Sequence, residues 1–375
     1  MSNKKIEFID LNAQQEILAD KLTKAIGKVL AHGKYIMGPE VQELESVLSN
    51  FCGAKNTISC ASGTDALLLA LMALDVKPGD AVFVPSFTFV ATAEVVALLG
   101  ASPVFVDIDP DYFLMSIESL ENAVGVARKA GLNPKVIIPV DLFGQPANYQ
   151  LINSFANEHG LMVIADAAQS FGADDNDSKA GALATITTTS FFPAKPLGCY
   201  GDGGAIFTDD EKIAEKLRSL RVHGKGNDKY DNINVGINGR LDTLQAAILL
   251  VKMEVFAKEI EVRDEIAKRY SNLLDDIVSV PLVRKGCRSA WAQYTLKVNA
   301  REKVSKDLAE KGIPTAVYYP KPLHQQSAYM HFPSVDDLSN SESCSKNVLS
   351  IPMHPYMNED TQSYIADALK DSVTE

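Results

Sequence analysis

Lys195 stands in the stretch SFFPAKPLGCYGDGGAIFT (190–208), with an apolar run before it and glycines at 198, 201, 203 and 204 after it. A surface lysine usually sits among other charges, yet the next charge along this stretch is Asp202. In apolar surroundings a lysine loses solvation of its ammonium form. Its pKa falls, and the free amine becomes a nucleophile and base near neutral pH. Three other stretches supply groups that suit such an amine. Gly63-Thr64-Asp65 follows TISCAS (57–62) and opens a helical pattern. The free N–H groups and dipole of a helix N-terminus bind phosphate, although an ordinary cap uses the same residue types. Ser86-Phe87-Thr88-Phe89 places aromatics at the end of a second apolar run, where packing into the core is the ordinary use of Phe89. Asp166 ends the run LMVIADAA (161–168), and a carboxylate there needs a partner because burying it unpaired is costly. A phosphate cradle, a ring-sized aromatic, a strand-end carboxylate and a desolvated lysine together specify pyridoxal 5′-phosphate (PLP). The lysine bonds the aldehyde as a Schiff base, and the carboxylate keeps the pyridine nitrogen protonated so that the ring accepts electrons.

These residues must be delivered by regular elements, and the chain alternates β-like and α-like patterns. AQQEILADKLTKAIGKVLA (13–31) and the segment after the turn at HGKYIMG read as amphipathic helices. Strands are expected at 57–62, 81–85, 103–109, 135–144, 161–168, 185–192 and 204–208, with helices at 64–74, 91–100, 149–160 and 208–220 between them. The strands are nearly continuous apolar runs, as in a mostly parallel sheet covered by helices on both faces. In such a sheet, ligands gather at the carboxyl ends of strands, where all four candidate groups lie. Residues 240–274 form one long helical pattern. AQYTLKV (292–298), REKVSKDLAEKGI (301–313) and PTAVYYP (314–320) then read strand, helix, strand. The expected organisation is α/β, with a large cofactor-binding domain at 1–250 and a smaller α+β domain at 251–375.

Composition sets outer bounds. The chain has 375 residues, 46% hydrophobic and 22% charged, with a net charge of −12. This acidic balance argues against a nucleic-acid binder, which needs a basic face; one anionic small molecule needs only a few local donors. The start, MSNKKIEFIDL, lacks an apolar core of signal-peptide length, and no membrane span is expected. A cytoplasmic protein is the expectation. The five cysteines show no CxxC pair and are expected to be reduced and buried, with no metal site.

The stretches YIMGPEV (35–41), ASGTDAL (61–67), SFTFVATAE (86–94), DAAQSFGA (166–173), SFFPAKPLGCYGDGGAIFT (190–208) and GINGRLDTLQAAIL (236–249) carry a clear resemblance. In content and order the chain resembles the DegT/DnrJ/EryC1/StrS family of PLP-dependent nucleotide-sugar aminotransferases, over roughly residues 5–370. The resemblance implies the aspartate aminotransferase fold (fold type I) and a set of roles. Lys195 would carry the cofactor and shuttle protons. Asp166 would hold the pyridine nitrogen and Gln169 the ring hydroxyl. Phe89 would stack on the ring, and Gly63, Thr64 and Ser190 would bind the phosphate. Asn238 would reach the phosphate of the neighbouring subunit, so a homodimer would share its two active sites. The cofactor would alternate between PLP and its amine form (PMP), with L-glutamate as donor and a UDP-sugar as acceptor. IEFIDL, GIPTAVYYPKPLHQQ (312–326) and LSIPMHPY (349–356) narrow the resemblance to the branch acting on UDP-linked 2-acetamido-2-deoxy-3-keto-glucuronate, which serves surface polysaccharides such as lipopolysaccharide O-antigen. That branch carries His-Tyr where this chain has Tyr318-Tyr319.

Arg240 suits bidentate binding of a carboxylate, whether from glutamate or a uronate, and with Tyr318 and Tyr319 it forms the expected substrate group. His223 reads as structural or near the substrate mouth. Arg221 and Lys225 read as anion-steering charges or a solvated face, and Trp291 and Cys199 as packing. YGDGGAIF is not a dinucleotide fingerprint, because it precedes a strand rather than joining a strand to a helix. Alternatives are a C4 aminotransferase on a UDP- or dTDP-4-keto-6-deoxy sugar, a sugar dehydratase of the same family, and a non-catalytic binding protein of the same fold. The dehydratases replace the lysine with histidine, and Lys195 argues against that reading.

Overall fold

A computed structural model describes residues 5–228 and 230–374. Two helices open the chain, α1 (Leu11–His32) and α2 (Pro39–Cys52), and both pack on a later long helix. The alternating region follows as β1 (Asn56–Cys60), α3 (Gly63–Ala73), β2 (Asp80–Pro85), α4 (Ala91–Leu98), β3 (Ser102–Val106), α5 (Ile117–Lys129), β4 (Asn133–Ile137), α6 (Tyr149–His159) and β5 (Met162–Asp166). Two short strands, β6 (Asp174–Asp175) and β7 (Ser178–Lys179), precede β8 (Ile186–Ser190), β9 (Gly204–Thr208) and α7 (Glu211–Leu220). The long helix α8 (Thr243–Leu274) leads to β10 (Cys287–Arg288), β11 (Tyr294–Lys297), α9 (Arg301–Glu310), α10 (Ser339–Asn347), β12 (Val348–Ile351) and α11 (Glu359–Thr374).

The main sheet has the order β1-β9-β8-β5-β4-β2-β3. Pairs from β8 to β3 are parallel, whereas β9 runs antiparallel to both β8 and β1. β1, β2 and β9 are buried along their whole length, which suits the apolar centres of β2 and β9, while β1 (NTISC) buries Asn56, Thr57 and Ser59. This is the mixed, mostly parallel α/β sheet that the alternating pattern predicts. The expected strand at 103–109 stops at Val106. The expected strand at 135–144 stops at Ile137, and its end becomes a bridge at Val140 and a single 3-10 turn at Leu142–Gly144. PTAVYYP is not a strand. Among the described residues it has one isolated bridge, Ala316 to Ser350, because two prolines in seven residues remove ladder donors.

α8 crosses from one apolar core to another. Its first half packs Ala246, Leu249 and Phe256 against Phe171, Phe191 and Phe207. Its second half, from Ile266 to Leu274, joins a cluster with Trp291, Tyr294, Leu296, Ile351 and Leu369. β11 and β12 form their own antiparallel pair there. Among the described residues no helix is long and apolar enough to cross a membrane; all five cysteines are free, and four are buried, while Cys287, expected to be buried, is half-buried.

Candidate active site

β1, β5 and β8 deliver the site's groups from their carboxyl ends. After β1, Ser62 caps α3 by accepting from the Asp65 N–H at 3.0 Å, leaving Gly63 and the half-buried Thr64 at the helix N-terminus. A Cβ at Gly63 would stand 2.6 Å from the Ser190 Cβ, so only glycine lets α3 approach the end of β8 this closely. Gly204 does the same from β9, where a Cβ would meet the Ser62 carbonyl at 2.4 Å. The structure therefore brings Gly63, Thr64 and Ser190 to one corner.

Asp166 ends β5 and is buried. Thr92 Oγ1 donates to its Oδ2 at 3.0 Å, and the Ala168 N–H donates to its Oδ1 at 3.2 Å. Burial pushes the carboxyl pKa up; the Ala168 amide, the Lys195 charge and the Thr92 hydroxyl pull it back. Lys195 lies in the loop between β8 and β9, in a turn closed by its N–H on the Phe192 carbonyl at 2.9 Å. Burial lowers its pKa and the Asp166 charge opposes that fall. Lys195 also borders a cavity of about 20 Å³ lined by Gln14, Glu259, Arg263 and Tyr356, room for one water.

Gln169 is buried, and its Oε1 accepts from the Phe143 N–H at 2.7 Å. That bond fixes the amide orientation and turns Nε2 outward, 3.4 Å from the Tyr319 hydroxyl. Phe89 is not a core residue. It is 51% exposed, with its ring centroid 6.0 Å from that of Tyr319. Tyr318 packs against Phe8, 6.4 Å between centroids.

Asn238 and Arg240 flank Gly239, whose carbonyl accepts from the Ala61 N–H at 3.1 Å beside the start of α3. The end of α7 pairs with their segment through His223 N–H to Ile237 O and Gly239 N–H to Arg221 O, at 2.9 and 3.0 Å. Among the described residues no hydrogen bond or ion pair joins Asn238 or Arg240 to Lys195, Asp166 or Tyr319. Asn238 is exposed, and the half-buried Arg240 has a buried Nε with no partner among the described residues. Arg221, expected on a steering or solvated face, is buried. It donates to Glu45 Oε1 at 2.5 Å and to the Ser59 carbonyl at 2.7 Å, because its place at the end of α7 turns it inward against α2 and β1.

Several residues at the site escaped sequence reasoning. Thr92 is a buried hydroxyl among the alanines and valines of α4, whose one charge is Glu94, and that is the one local signal that pointed to it. Asp141 accepts from Ser170 Oγ and the Tyr149 hydroxyl at 2.6 Å each and from the Ala147 N–H at 2.8 Å, and burial pushes its pKa up to about 7. Lys252, buried in α8, donates to the Gly198 carbonyl at 2.7 Å and lies 4.3 Å over the Tyr200 ring, which pins the loop after Lys195. Burial pulls the pKa of this lysine down to about 8.

The donor set fits PLP: a helix N-terminus with a glycine and a hydroxyl beside its Ser62 cap, a buried carboxylate held by two donors, an amide whose Nε2 faces Tyr319, and a desolvated lysine. Fold and site define a PLP-dependent aminotransferase. The DegT/DnrJ/EryC1/StrS aminotransferase family model matches residues 16–370, and the chain belongs to that family. A Pseudomonas aeruginosa protein named UDP-2-acetamido-2-deoxy-3-oxo-D-glucuronate aminotransferase is 48% identical over 97% of this chain and 99% of its own length. The crystal structure of a family aminotransferase from Brucella abortus is 50% identical, with a TM-score of 0.97 over 99% of this chain and 100% of that one. The structure of NtdA from Bacillus subtilis with bound cofactor PMP matches at a TM-score of 0.90 and 31% identity, over 100% of this chain and 87% of that one.

Proposed function

We propose that the enzyme moves the amino group of L-glutamate to C3 of UDP-linked 2-acetamido-2-deoxy-3-keto-glucuronate, as a cytoplasmic homodimer that shares its active sites. The product is a 3-amino sugar suited to surface polysaccharide synthesis. The observation that carries the sugar assignment is the 48% identity, along nearly the whole chain, to a relative named for the 3-oxo-glucuronate substrate.

Bound PLP supplies an electron sink for the carbanion formed when a C–H bond next to nitrogen is broken. Gly63, Thr64 and Ser190 would hold its phosphate, Asp166 its ring nitrogen, Gln169 its hydroxyl and Phe89 one ring face. Lys195, whose pKa burial lowers against the opposing Asp166 charge, takes the proton from Cα of the amino donor. In the return half-reaction it gives a proton to the sugar carbon that has gained nitrogen. Thr92 and the Ala168 amide hold Asp166 as a carboxylate against the cost of its burial.

Arg240 supports the substrate and assembly readings together. A half-buried guanidinium whose buried Nε has no partner among the described residues is available to an anion, and two residues earlier Asn238 is exposed. The adjoining loop presents Ile233 and Val235 at 65% and 90% exposure, apolar surface that a second copy would cover. In that arrangement Asn238 and Arg240 serve the neighbour's site, and Tyr318 and Tyr319 line the sugar's side.

The test is turnover of UDP-2-acetamido-2-deoxy-3-keto-glucuronate with L-glutamate, with the aminated carbon located by NMR. Amination at C3 is expected, with poor turnover of the 6-deoxy-4-keto UDP-sugar. Equal turnover of the two sugars sinks the uronate reading and leaves the family activity intact.

A further inference from the structure

Tyr319 meets Phe89 and Gln169, yet it belongs to an irregular segment reaching in from the C-terminal region. One end of that segment is fixed on β12, where Ala316 and Ser350 exchange backbone hydrogen bonds at 3.1 and 2.8 Å. Among the described residues, no backbone N–H from Val317 to Lys321 donates to another backbone carbonyl. The aromatic pair therefore hangs between β12 and the next anchor.

That anchor is Ser86, the residue between β2 and the Phe87-Thr88-Phe89 loop. Ser86 is fully buried and tied to β3 by its N–H on the Val106 carbonyl at 2.8 Å. Its carbonyl accepts from the Leu323 N–H at 2.8 Å. Its hydroxyl lies 2.6 Å from His324 Nδ1 and 3.4 Å from the His324 N–H. A carboxylate only accepts, so Nε2 is the donor to Glu342 Oε1 at 3.2 Å, and in that neutral tautomer Nδ1 accepts from the Ser86 hydroxyl. Glu342 is itself placed by α10, whose first turn is bound to Asp107 through the Asn340 and Ser341 N–H groups at 3.1 and 2.8 Å. One imidazole thus joins the cofactor-face loop, the tyrosine segment and α10.

We propose that Ser86, His324 and Glu342 form a clamp that sets Tyr318 and Tyr319 over the cofactor face, with His324 as a positioning residue for the sugar half of the reaction. A serine, histidine and glutamate in a row also make a nucleophilic triad, but this Ser86 Oγ is buried under the residue it bonds and no reactant reaches it. The group holds two loops in register. It acts on sugar binding because Tyr319 is what it positions; the glutamate half-reaction depends on Lys195 and Asp166, which are fixed by β5 and the β8–β9 loop. The inference rests on the proposed sugar chemistry only for its kinetic test.

His324→Ala is the main variant, and Ser86→Ala replaces it where the protein does not fold. His324→Asn keeps an acceptor near the Nδ1 position. With each half-reaction followed separately by the cofactor's visible absorbance, His324→Ala should raise KM for the UDP-sugar about tenfold, the scale of one lost buried hydrogen-bond pair. The glutamate half-reaction should stay within about twofold, and His324→Asn should recover most of the loss. Equal loss in both half-reactions, or no change in either, overturns the clamp. Hydrogen exchange of the wild-type and His324→Ala holoenzymes without sugar reads the clamp independently of substrate identity. Faster exchange confined to the peptide 314–326 is expected. Unchanged exchange there overturns the clamp even if the sugar assignment holds, and failure of the wild type to use the 3-keto uronate sinks that assignment alone.

Discussion

The cofactor end and the substrate end of the site are built differently. Asp166, Ser190 and Gly63 sit on buried strand ends or a helix start, and Asp166 is held by named donors. Tyr318, Tyr319, Asn238 and Arg240 sit on irregular segments, half-buried or exposed. A sheet of closely paired strands fixes atoms without help from a ligand, whereas loop residues acquire their place from a clamp, a substrate or a second chain. On the proposed assignment the cofactor is held mostly by the rigid frame, with Lys195 in the loop between β8 and β9, and the choice of sugar falls to the other loops.

The harshest break of the rigid end is Lys195→Ala. Turnover should fall by at least about 10⁴-fold, because on the proposed reading the same side chain serves as nucleophile and proton carrier. The protein should fold and bind the cofactor without the lysine-linked visible absorbance. A borohydride-reducible lysine link surviving in the variant, seen by peptide mass spectrometry, would show that the amine was assigned wrongly.

At the other end, a hydrogen bond to a charged group contributes ~1.5–3 kcal/mol. Arg240→Ala should therefore lower kcat/KM on the uronate about 10–150-fold. Arg240→Lys should lose more on the uronate than on a neutral analogue, because a point charge does not reproduce the planar fork. If the glutamate half-reaction drops equally, Arg240 also binds the amino donor, and the contrast between the two ends is weaker than drawn here.

Mixing inactive Lys195→Ala and Asn238→Ala subunits sharpens the same contrast. Random exchange makes half of the dimers mixed, each with one intact site if Asn238 serves the neighbour, so about a quarter of wild-type activity should return. Verified exchange with no recovery would place Asn238 outside the partner's site.

The smallest effect concerns Asp141 beneath the rigid end. Its carboxyl holds a proton up to about pH 7 in the folded protein, while the unfolded chain releases it near pH ~3.9. Between these values the folded state binds more protons, so this group's favourable contribution to stability falls as pH rises and is lost above the folded pKa. Asp141→Asn, which stays neutral and keeps an acceptor for Ala147 and Tyr149, should gain a few degrees in Tm relative to wild type between pH 5 and pH 8, roughly the response to 1 kcal/mol or more in a chain of this size. A Tm difference that ignores pH would mean that Asp141 does not titrate in this range.

The sequence by itself determined the frame. Apolar runs located most strands of the main sheet because buried parallel strands have no polar face to hide, although β1 (NTISC) and β8 (ITTTS) bury polar residues, and Lys195, Asp166 and Gly63 were legible because each is an unlikely residue at an apolar strand end or turn. Tertiary structure alone decided the rest. The lack of a strand at 314–320 followed from prolines that deny it ladder donors. Arg221 turned inward because its position at the end of α7 faces Glu45, from a helix 176 residues earlier in the chain. Thr92, Asp141, Lys252 and the Ser86–His324–Glu342 clamp act across separations of 74, 29, 54 and 238 residues to Asp166, Ser170, Gly198 and Ser86. Local periodicity carries the burial of one element at a time. A hydrogen bond between distant elements leaves no period in either, so its partners become visible only when the fold sets them side by side.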